Sequence, residues 1–403
     1  MKKQIATLTS IVPQMDIGNK RITSRTAEIA PVSADIEYPP VQRFWLLDNL
    51  RGMASLSVVV FHYQHFYFTA PGVLAAGFNT STQPFYSFLA IFYNSGYNAV
   101  QLFFVISGFV FFFVYYESLR HRAVSGFGYF VARFSRLYPL HAATLVIVAL
   151  GQWISMRVTG QFTVYPYNDF YHFFLNVFFA SNWGFQLGDS FNGPVWSLSV
   201  EIVTYFLFYF YASQIASRSS RHFRNALITI FLLLIISRLA PTSIRDIARA
   251  TMCFFAGGLA FFVCGEVAKL KNLHRLYSLV TACVGGAVAL LAFIITRSAS
   301  VLHFAVFPAL VLVLGITQGR FLGAGKRLRL VGDISYSTYL LHFPLQLYII
   351  IIAASLGDRI DYSRPIVFLL FVLLLLVLST VTFHWFERPA QKVLRQCFVG
   401  IKD

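Results

Sequence analysis

Three polar side chains lie within one strongly apolar stretch, WLLDNLRGMASLSVVVFH, and their types suit acid–base chemistry. Arg51 and His62 are 11 residues apart in the sequence. On a helix they share one face and lie about 16 Å apart along its axis. Asp48 lies one turn before Arg51 and can pair with it. The helix face that carries them would form one wall of a cavity. This wall would carry a cation near the cytoplasmic surface and an imidazole deeper in the membrane. The alternative is an arginine that snorkels to the interface and a histidine that only caps a helix contact.

A second intramembrane charge is expected at Glu201, in NGPVWSLSVEIVTYFLFYF. Counted along their own helices, Glu201 and His62 are both predicted to lie roughly 9 Å below the outer surface. A carboxylate at hydrogen-bond distance would orient the imidazole and raise its basicity, as general-base catalysis requires. The alternative is a buried glutamate that is bonded to the backbone or to a tyrosine hydroxyl.

Two further arginines, Arg133 and Arg136, precede Pro139 in FVARFSRLYPLH. They project together if this turn is helical, and their planar guanidinium groups match the geometry of phosphate oxygens. They therefore suit a phosphate-bearing ligand. The alternative is anchoring at the cytoplasmic surface or contact with lipid headgroups.

Two other polar motifs have structural explanations. GDISYSTYLLHFP contains Tyr339 and His342, which a packed polar patch explains as well as a site does. In FERP, Glu387 and Arg388 indicate an ion-paired stop at the cytoplasmic end of the last helix.

Long membrane helices must position these residues, and the composition indicates such helices. Of the 403 residues, 57% are hydrophobic and only 12% are charged, whereas soluble domains carry roughly 25% charged residues. Apolar stretches near 18 residues recur, each able to cross about 30 Å of hydrocarbon. The sequence therefore predicts an all-α polytopic membrane protein with about ten transmembrane helices. They begin near Trp45, Asn98, Pro139, Val195, Asn225, Ala250, Tyr277, Leu302, Asp333 and Ile366.

An eleventh apolar piece, residues 170–182, is predicted to be re-entrant or interfacial. Most of the 32 Lys+Arg fall on one side of the membrane only if this piece does not cross, so the positive-inside rule decides the matter. Both termini are then cytoplasmic, as are Ser219 and Gly325, whereas Gln161 and Asp358 are extracytoplasmic.

Three segments follow from this topology: a flexible cytoplasmic N-terminal tail at 1–42, a membrane domain at 43–392 and a cytoplasmic tail at 393–403. The first segment contains no apolar core, so no cleavable signal peptide is expected. The four cysteines show no metal-like spacing, and neither a bound metal nor a disulfide is expected. The excess of Lys+Arg is explained by cytoplasmic loops, so no nucleic acid is expected as a partner.

Six stretches resemble, in order, the motifs of the acyltransferase-3 family of bacterial integral membrane O-acyltransferases. They are RFWLLDNLRGMASLSVVVFH, QLFFVISGFVFF, FVARFSRLYPLH, NGPVWSLSVEIVTYFLF, GDISYSTYLLHFP and HWFERP. The resemblance implies transfer of an acyl group, usually acetyl, from cytoplasmic acyl-CoA to a glycan hydroxyl at the outer side of the bacterial inner membrane. It implies that Arg51 and His62 are the essential pair, and that Arg133 and Arg136 belong to the donor side. The extra hydrolase-like domain of some members is not expected, because the chain ends soon after HWFERP.

Residues and resemblance together suggest a mechanism. Acyl-CoA would place its phosphates on Arg133 and Arg136, and Arg51 would guide the pantetheine arm. His62, oriented by Glu201, would act as a general base or carry the acyl group. No permanently bound cofactor is expected, since acyl-CoA is a substrate.

The expected partners are acyl-CoA, a glycan or lipid-linked saccharide, and membrane lipid. A secondary transporter or glycan flippase that uses the same buried charges is the alternative, although no internal repeat supports it. A membrane scaffold would leave the intramembrane charges unexplained.

Overall fold

The computed structural model describes residues 43–218, 221–320, 323, 325–357 and 360–399, most of which are helical. The predicted tail at 1–42 and the predicted surface positions Ser219 and Asp358 lie outside the described residues. A small antiparallel sheet, β1 Phe68–Ala70 and β2 Val73–Leu74, follows the first helix. The longer helices in chain order are α1 Trp45–His62, α2 Tyr86–Ser95, α3 Ala99–Arg120, α4 Gly126–Thr159, α5 Phe170–Val177, α6 Trp196–Phe210, α7 His222–Leu239, α8 Thr242–Ala268, α9 Asn272–Thr296, α10 Phe307–Arg320, α11 Arg329–Asp333, α12 Ser335–Leu356, α13 Pro365–Thr382 and α14 Arg388–Val399.

Nine helical segments of the described chain are long and apolar enough to cross a membrane. A helix satisfies its backbone polar groups within itself, which is what a hydrocarbon environment requires. α1 is the remaining predicted span. Its 18 residues are long enough, but Asp48 and Arg51 lower its apolarity. The prediction of an all-α polytopic membrane protein is confirmed.

The centre of the bundle is built around the contact between α3 and α8. A Cβ atom at Gly108 would overlap the backbone of Phe254, and one at Gly257 would overlap the carbonyl group of Val105. Small residues let two membrane helices approach closely and gain van der Waals contact. Phe111 packs edge-on against Phe254 beside this contact, with 5.4 Å between ring centroids.

α4 begins well before Pro139, the residue at which the sequence places the start of this span. The helix starts at Gly126, where the Ser125 hydroxyl caps it, and continues through Pro139 to Thr159. Counting apolar residues misses this first part because Arg133 and Arg136 interrupt the run. Both arginines therefore lie on a helix, one turn apart, as their joint projection requires.

The short apolar piece predicted not to cross forms α5, whose eight residues extend about 12 Å. This is less than half the thickness of a hydrocarbon core, which is about 30 Å. Asp169 caps the helix by accepting a hydrogen bond from the backbone N–H of His172 at 2.9 Å. α5 therefore does not span a bilayer.

The last helix does not stop at FERP, contrary to the prediction. α13 passes through a π-helical turn, Phe383–Glu387, directly into α14. The backbone N–H of Arg388 bonds to a carbonyl five residues earlier, which shifts the hydrogen-bond ladder just before Pro389, a residue that cannot donate. α14 also runs across the predicted segment boundary at residue 392.

Candidate active site

An internal cavity of about 140 Å³ lies between α1, α3, α4, α6 and α12. We call it the arginine cavity. It brings together all but one of the predicted site residues, because Arg51, Arg133, Arg136 and Glu201 all line it. Tyr205, Tyr336 and Tyr339 also line it, together with serine side chains.

Arg51 is held firmly in the wall of this cavity. Its Nε donates to Ser335 Oγ at 3.0 Å, and one Nη donates to the carbonyl of Gly332 at 3.1 Å. Asp48 lies 3.4 Å from the same Nη, so the predicted pair with Asp48 is present. These contacts tie α1 to the start of α12 and fix a positive charge at the cavity.

Arg133 lies against aromatic rings. One Nη donates to the hydroxyl of Tyr115 at 2.5 Å, and the guanidinium lies 4.8 Å from the Tyr115 ring and 4.9 Å from the Phe111 ring. Such stacking holds the guanidinium plane while leaving its edge open. The Nε of Arg133 is buried and has no hydrogen-bond partner. This donor remains available to a ligand.

Arg136 pairs with a residue that the sequence placed in a merely structural motif. It lies 3.5 Å from Oε1 of Glu387, whose side chain is 2% exposed. Ser337 donates to Oε2 of Glu387 at 2.6 Å. Glu387 therefore positions Arg136 at the cavity instead of pairing with its neighbour Arg388, as FERP had suggested.

Glu201 does not contact His62, and the predicted hydrogen bond between them is not formed. Its carboxylate accepts a hydrogen bond from Tyr205 Oη and faces the arginine cavity, whereas His62 lines a different cavity. The tyrosine hydroxyl considered as the alternative partner is the one that the structure shows. Similar depth along two helices does not fix the direction in which each side chain points.

His62 lines a second cavity of about 470 Å³, which we call the histidine cavity. Asp246, Arg249 and His303 line it too, as do Trp196 and Gln101. The His62 ring is buried, and the carbonyl of Val58, one turn earlier on α1, is a hydrogen-bond partner of this ring.

Two further histidines pack around His62. The ring of His342 stacks on it at 5.1 Å between centroids, and the ring of His65 lies at 4.8 Å. Nδ1 of His65 donates to Oε1 of Gln346 at 3.0 Å, and its Nε2 accepts from Tyr165 Oη at 3.2 Å. Gln346 in turn donates to the backbone carbonyl of His62 at 2.9 Å. Two imidazoles therefore pack against the ring of His62, and the Gln346 amide holds its backbone carbonyl. His65 is not among the residues predicted from the sequence, although it follows His62 by three residues.

The helices that line both cavities show how the cavities are arranged along the bundle. On α1, Arg51 of the arginine cavity precedes His62 of the histidine cavity. On α6 the order is reversed, because Trp196 of the histidine cavity precedes Glu201 of the arginine cavity. α1 and α6 are therefore antiparallel, as the predicted topology requires when α5 does not cross. The cavities are stacked along the helix axes.

A thin wall separates the two cavities. Val100 and Tyr339 line both of them. The hydroxyl of Tyr339 donates to the carbonyl of Pro194 and accepts from Ser197 Oγ at 2.8 Å. These two bonds hold the tyrosine ring in the wall.

The sequence matches the family model described as an acyltransferase domain over residues 44–384, most of the chain. The chain belongs to the acyltransferase-3 family. This acyltransferase is similar to "Protein 2 in picA locus" of Rhizobium radiobacter, at 33% identity over 121 residues, which cover 30% of this chain and 51% of that protein. The chain thus spans about half the length of this curated relative. No solved structure matches the acyltransferase.

Family membership confirms the predicted enzyme class and removes the transporter alternative. An acyltransferase must bind a donor and an acceptor and let a reacting group meet both. The two cavities adjoin at Val100 and Tyr339.

Proposed function

We propose that this protein is an O-acyltransferase of the bacterial inner membrane with both termini in the cytoplasm. It takes an acyl group, acetyl in the simplest case, from acyl-CoA and transfers it to a hydroxyl of a cell-surface glycan or lipid-linked saccharide. The observation that carries the proposal is the stacking of the arginine cavity on the histidine cavity. A phosphate-bearing donor and a hydroxyl acceptor need different surroundings, and the two cavities differ in this way.

The arginine cavity supports binding of the CoA donor. Arg51, Arg133 and Arg136 line this cavity. Asp48 pairs with Arg51 and Glu387 with Arg136, and each of these guanidinium groups has further N–H donors for a ligand. Guanidinium groups bind phosphate oxygens through charge-assisted hydrogen bonds. A cavity of about 140 Å³ is much smaller than the whole of CoA. The cavity therefore holds only the part of the donor that lies beside the arginines.

His62 supports the transfer step. As a general base, its ring nitrogen takes the proton of the acceptor hydroxyl while the hydroxyl oxygen bonds to the thioester carbon. The carbon–sulfur bond then breaks, and the imidazolium returns the proton to the CoA thiolate. In the two-step route, the ring nitrogen first bonds to the acyl carbon while the carbon–sulfur bond breaks and CoA leaves as the thiolate. The acceptor oxygen then bonds to the acyl carbon, the carbon–nitrogen bond breaks to release the imidazole, and the hydroxyl proton passes to the thiolate. Labelled acyl-CoA without acceptor leaves label on His62 only in the second route.

The test uses the purified protein in lipid nanodiscs with acetyl-CoA and glycan isolated from a strain that lacks the gene. We expect release of CoA that depends on the glycan, together with an acetyl mass shift on the glycan. His62→Gln should release no CoA above background. Arg327→Gln is the matched control, because Arg327 is exposed and lines neither cavity.

Two results would contradict the proposal. One is glycan that gains no acyl group although the folded wild-type protein binds acetyl-CoA. The other is an equal loss of activity in Arg327→Gln and His62→Gln, which would mean that the His62 result reports general damage.

A further inference from the structure

The charges that line the histidine cavity balance. Its charged lining is one carboxylate, Asp246, and one guanidinium, Arg249, both on α8. Their closest N–O distance is 3.8 Å, and their side chains are 28% and 42% exposed. A molecule with a net charge would meet an opposite and a like charge side by side. A neutral ligand meets no such conflict.

This charged pair keeps most of its hydrogen-bonding capacity. A guanidinium has five N–H donors and a carboxylate has about four acceptor positions. A contact of 3.8 Å is too long for a hydrogen bond, and Asn182 is a further partner of Asp246. Asp246 can therefore accept from hydroxyl groups of a ligand, and Arg249 can donate to hydroxyl oxygens.

Aromatic rings provide flat apolar walls in the same cavity. Phe61, Tyr97, Trp196 and Phe304 line it, and Tyr97 is 50% exposed. The rings of Phe61 and Tyr97 lie edge to face with centroids 5.5 Å apart. A pyranose ring has apolar C–H faces and a rim of hydroxyl groups. A cavity with flat apolar walls and a few polar groups matches both parts.

One buried acceptor in this cavity, Oε1 of Gln101, has no hydrogen-bond partner in the described structure. Buried polar atoms are rarely left unpaired, because a lost hydrogen bond to water is not replaced. A hydroxyl group of a ligand can satisfy this acceptor by donating to it.

We propose that the histidine cavity binds a neutral sugar ring of the acceptor, with Asp246 and Arg249 selecting against charged sugars. The inference rests on the proposed acyl transfer and names the acceptor class of that same reaction. The volume of about 470 Å³ lies within the range of about 300–1,000 Å³ usual for small-molecule sites. The sugar hydroxyl that reaches His62 is the one acylated, and Asp246 and Arg249 determine which sugar can place a hydroxyl there.

The test measures acceptor specificity of the full-length enzyme in nanodiscs with acetyl-CoA as donor. The acceptors are methyl glycosides: neutral hexosides of several configurations, the matching hexuronides with a carboxylate, and the matching 2-amino sugars with an ammonium group. The wild type should show the lowest acceptor KM for a neutral hexoside. Asp246→Asn leaves Arg249 unpaired and should shift the KM ratio toward the hexuronide by about tenfold. Arg249→Gln should shift it toward the amino sugar by a similar factor.

A second ion pair provides the matched control. Asp361 and Arg364 have the same three-residue spacing, lie 3.2 Å apart with side chains 51% and 71% exposed, and line neither cavity. Asp361→Asn and Arg364→Gln should leave the acceptor preference unchanged. Calorimetry should find the same acetyl-CoA affinity in all four variants.

The outcomes separate this inference from the proposed function. Failure of the folded wild type to bind acetyl-CoA would overturn the proposed function. Normal acetyl-CoA binding without transfer to any neutral hexoside would overturn only the sugar inference, as would a wild-type preference for hexuronides. An unchanged preference in both Asp246→Asn and Arg249→Gln would also overturn it.

If either variant does not fold, Arg249→Lys serves instead, because it keeps the charge without the planar fork and should still raise the acceptor KM. An unchanged KM in Arg249→Lys would then contradict the inference.

Discussion

Replacing Arg136 with alanine should have two separable effects, because Arg136 faces both the arginine cavity and Glu387. Glu387 is 2% exposed, and Arg136 and Ser337 are its partners. Loss of the guanidinium leaves a buried carboxylate with one neutral donor, and breaking a buried pair in this way costs about 3–5 kcal/mol. The Arg136 side chain is 28% exposed and the contact is 3.5 Å long. The expected loss in the free energy of unfolding is therefore at the lower end of this range, about 3 kcal/mol.

The second effect is on donor binding. A charge-assisted phosphate contact is worth about 1.5–3 kcal/mol, so its loss should raise the KM for acyl-CoA about tenfold or more. Glu387→Gln separates this effect from stability, because its amide oxygen still accepts from Ser337 but carries no charge. The double variant Arg136→Ala/Glu387→Gln should regain most of the lost stability and keep the raised KM.

Thermal unfolding in detergent reports the stability of each variant, and initial rates at varied acetyl-CoA report the donor KM. Arg136→Lys should restore stability and only part of the donor affinity, because lysine offers charge without the planar fork. The reasoning is refuted if the double variant has a wild-type donor KM. Arg136 would then serve only to neutralise Glu387.

Three further predictions concern catalysis and packing. His62→Gln should insert and fold normally, yet kcat should fall by about 10²–10⁴-fold, the usual loss for a general base; near-normal turnover of well-folded protein would end the base assignment. Glu201→Gln should leave the acid limb of the pH–rate profile where it is, because its carboxylate contacts Tyr205 and not His62. A limb displaced to lower pH would show that the carboxylate does act on the imidazole in the working enzyme. Gly257→Ala should destabilise the protein by about 1–3 kcal/mol through overlap with α3, whereas Gly265→Ala on the same helix meets open space and should be neutral in thermal unfolding.

Apolar length alone was enough to predict most of the helices. α9 and α13 show why. Their apolar runs are nearly continuous and long enough to cross the hydrocarbon core of a membrane. The prediction was wrong where polar residues interrupt a helix. The first turns of α4 contain Arg133 and Arg136, so hydropathy placed the start of this helix too late. The helix after Pro389 contains Lys392 and Arg395, so hydropathy ended that helix too early.

The site followed the same pattern. Pairing of Asp48 with Arg51 depends only on the spacing within one helix, and the structure shows it. Whether Glu201 can reach His62 depends on how each helix is rotated about its own axis. The depth of a residue in the membrane, counted along the sequence, does not predict this rotation. The packing of His65 beside His62 depends on a 3-10 turn after α1, which the pattern of apolar residues does not reveal.

The wall formed by Val100 and Tyr339 has a consequence for the energy supply of the cell. Two polar cavities stacked through a bilayer would become a leak for protons if they joined, and a membrane potential drives each elementary charge with about 2.3 kcal/mol per 100 mV. An enzyme that hands a neutral acyl group from one side to the other must open a route for that group without opening one for ions. In the proposed transfer, Tyr339, held by Ser197 and the carbonyl of Pro194, stands at the point where such a route would pass.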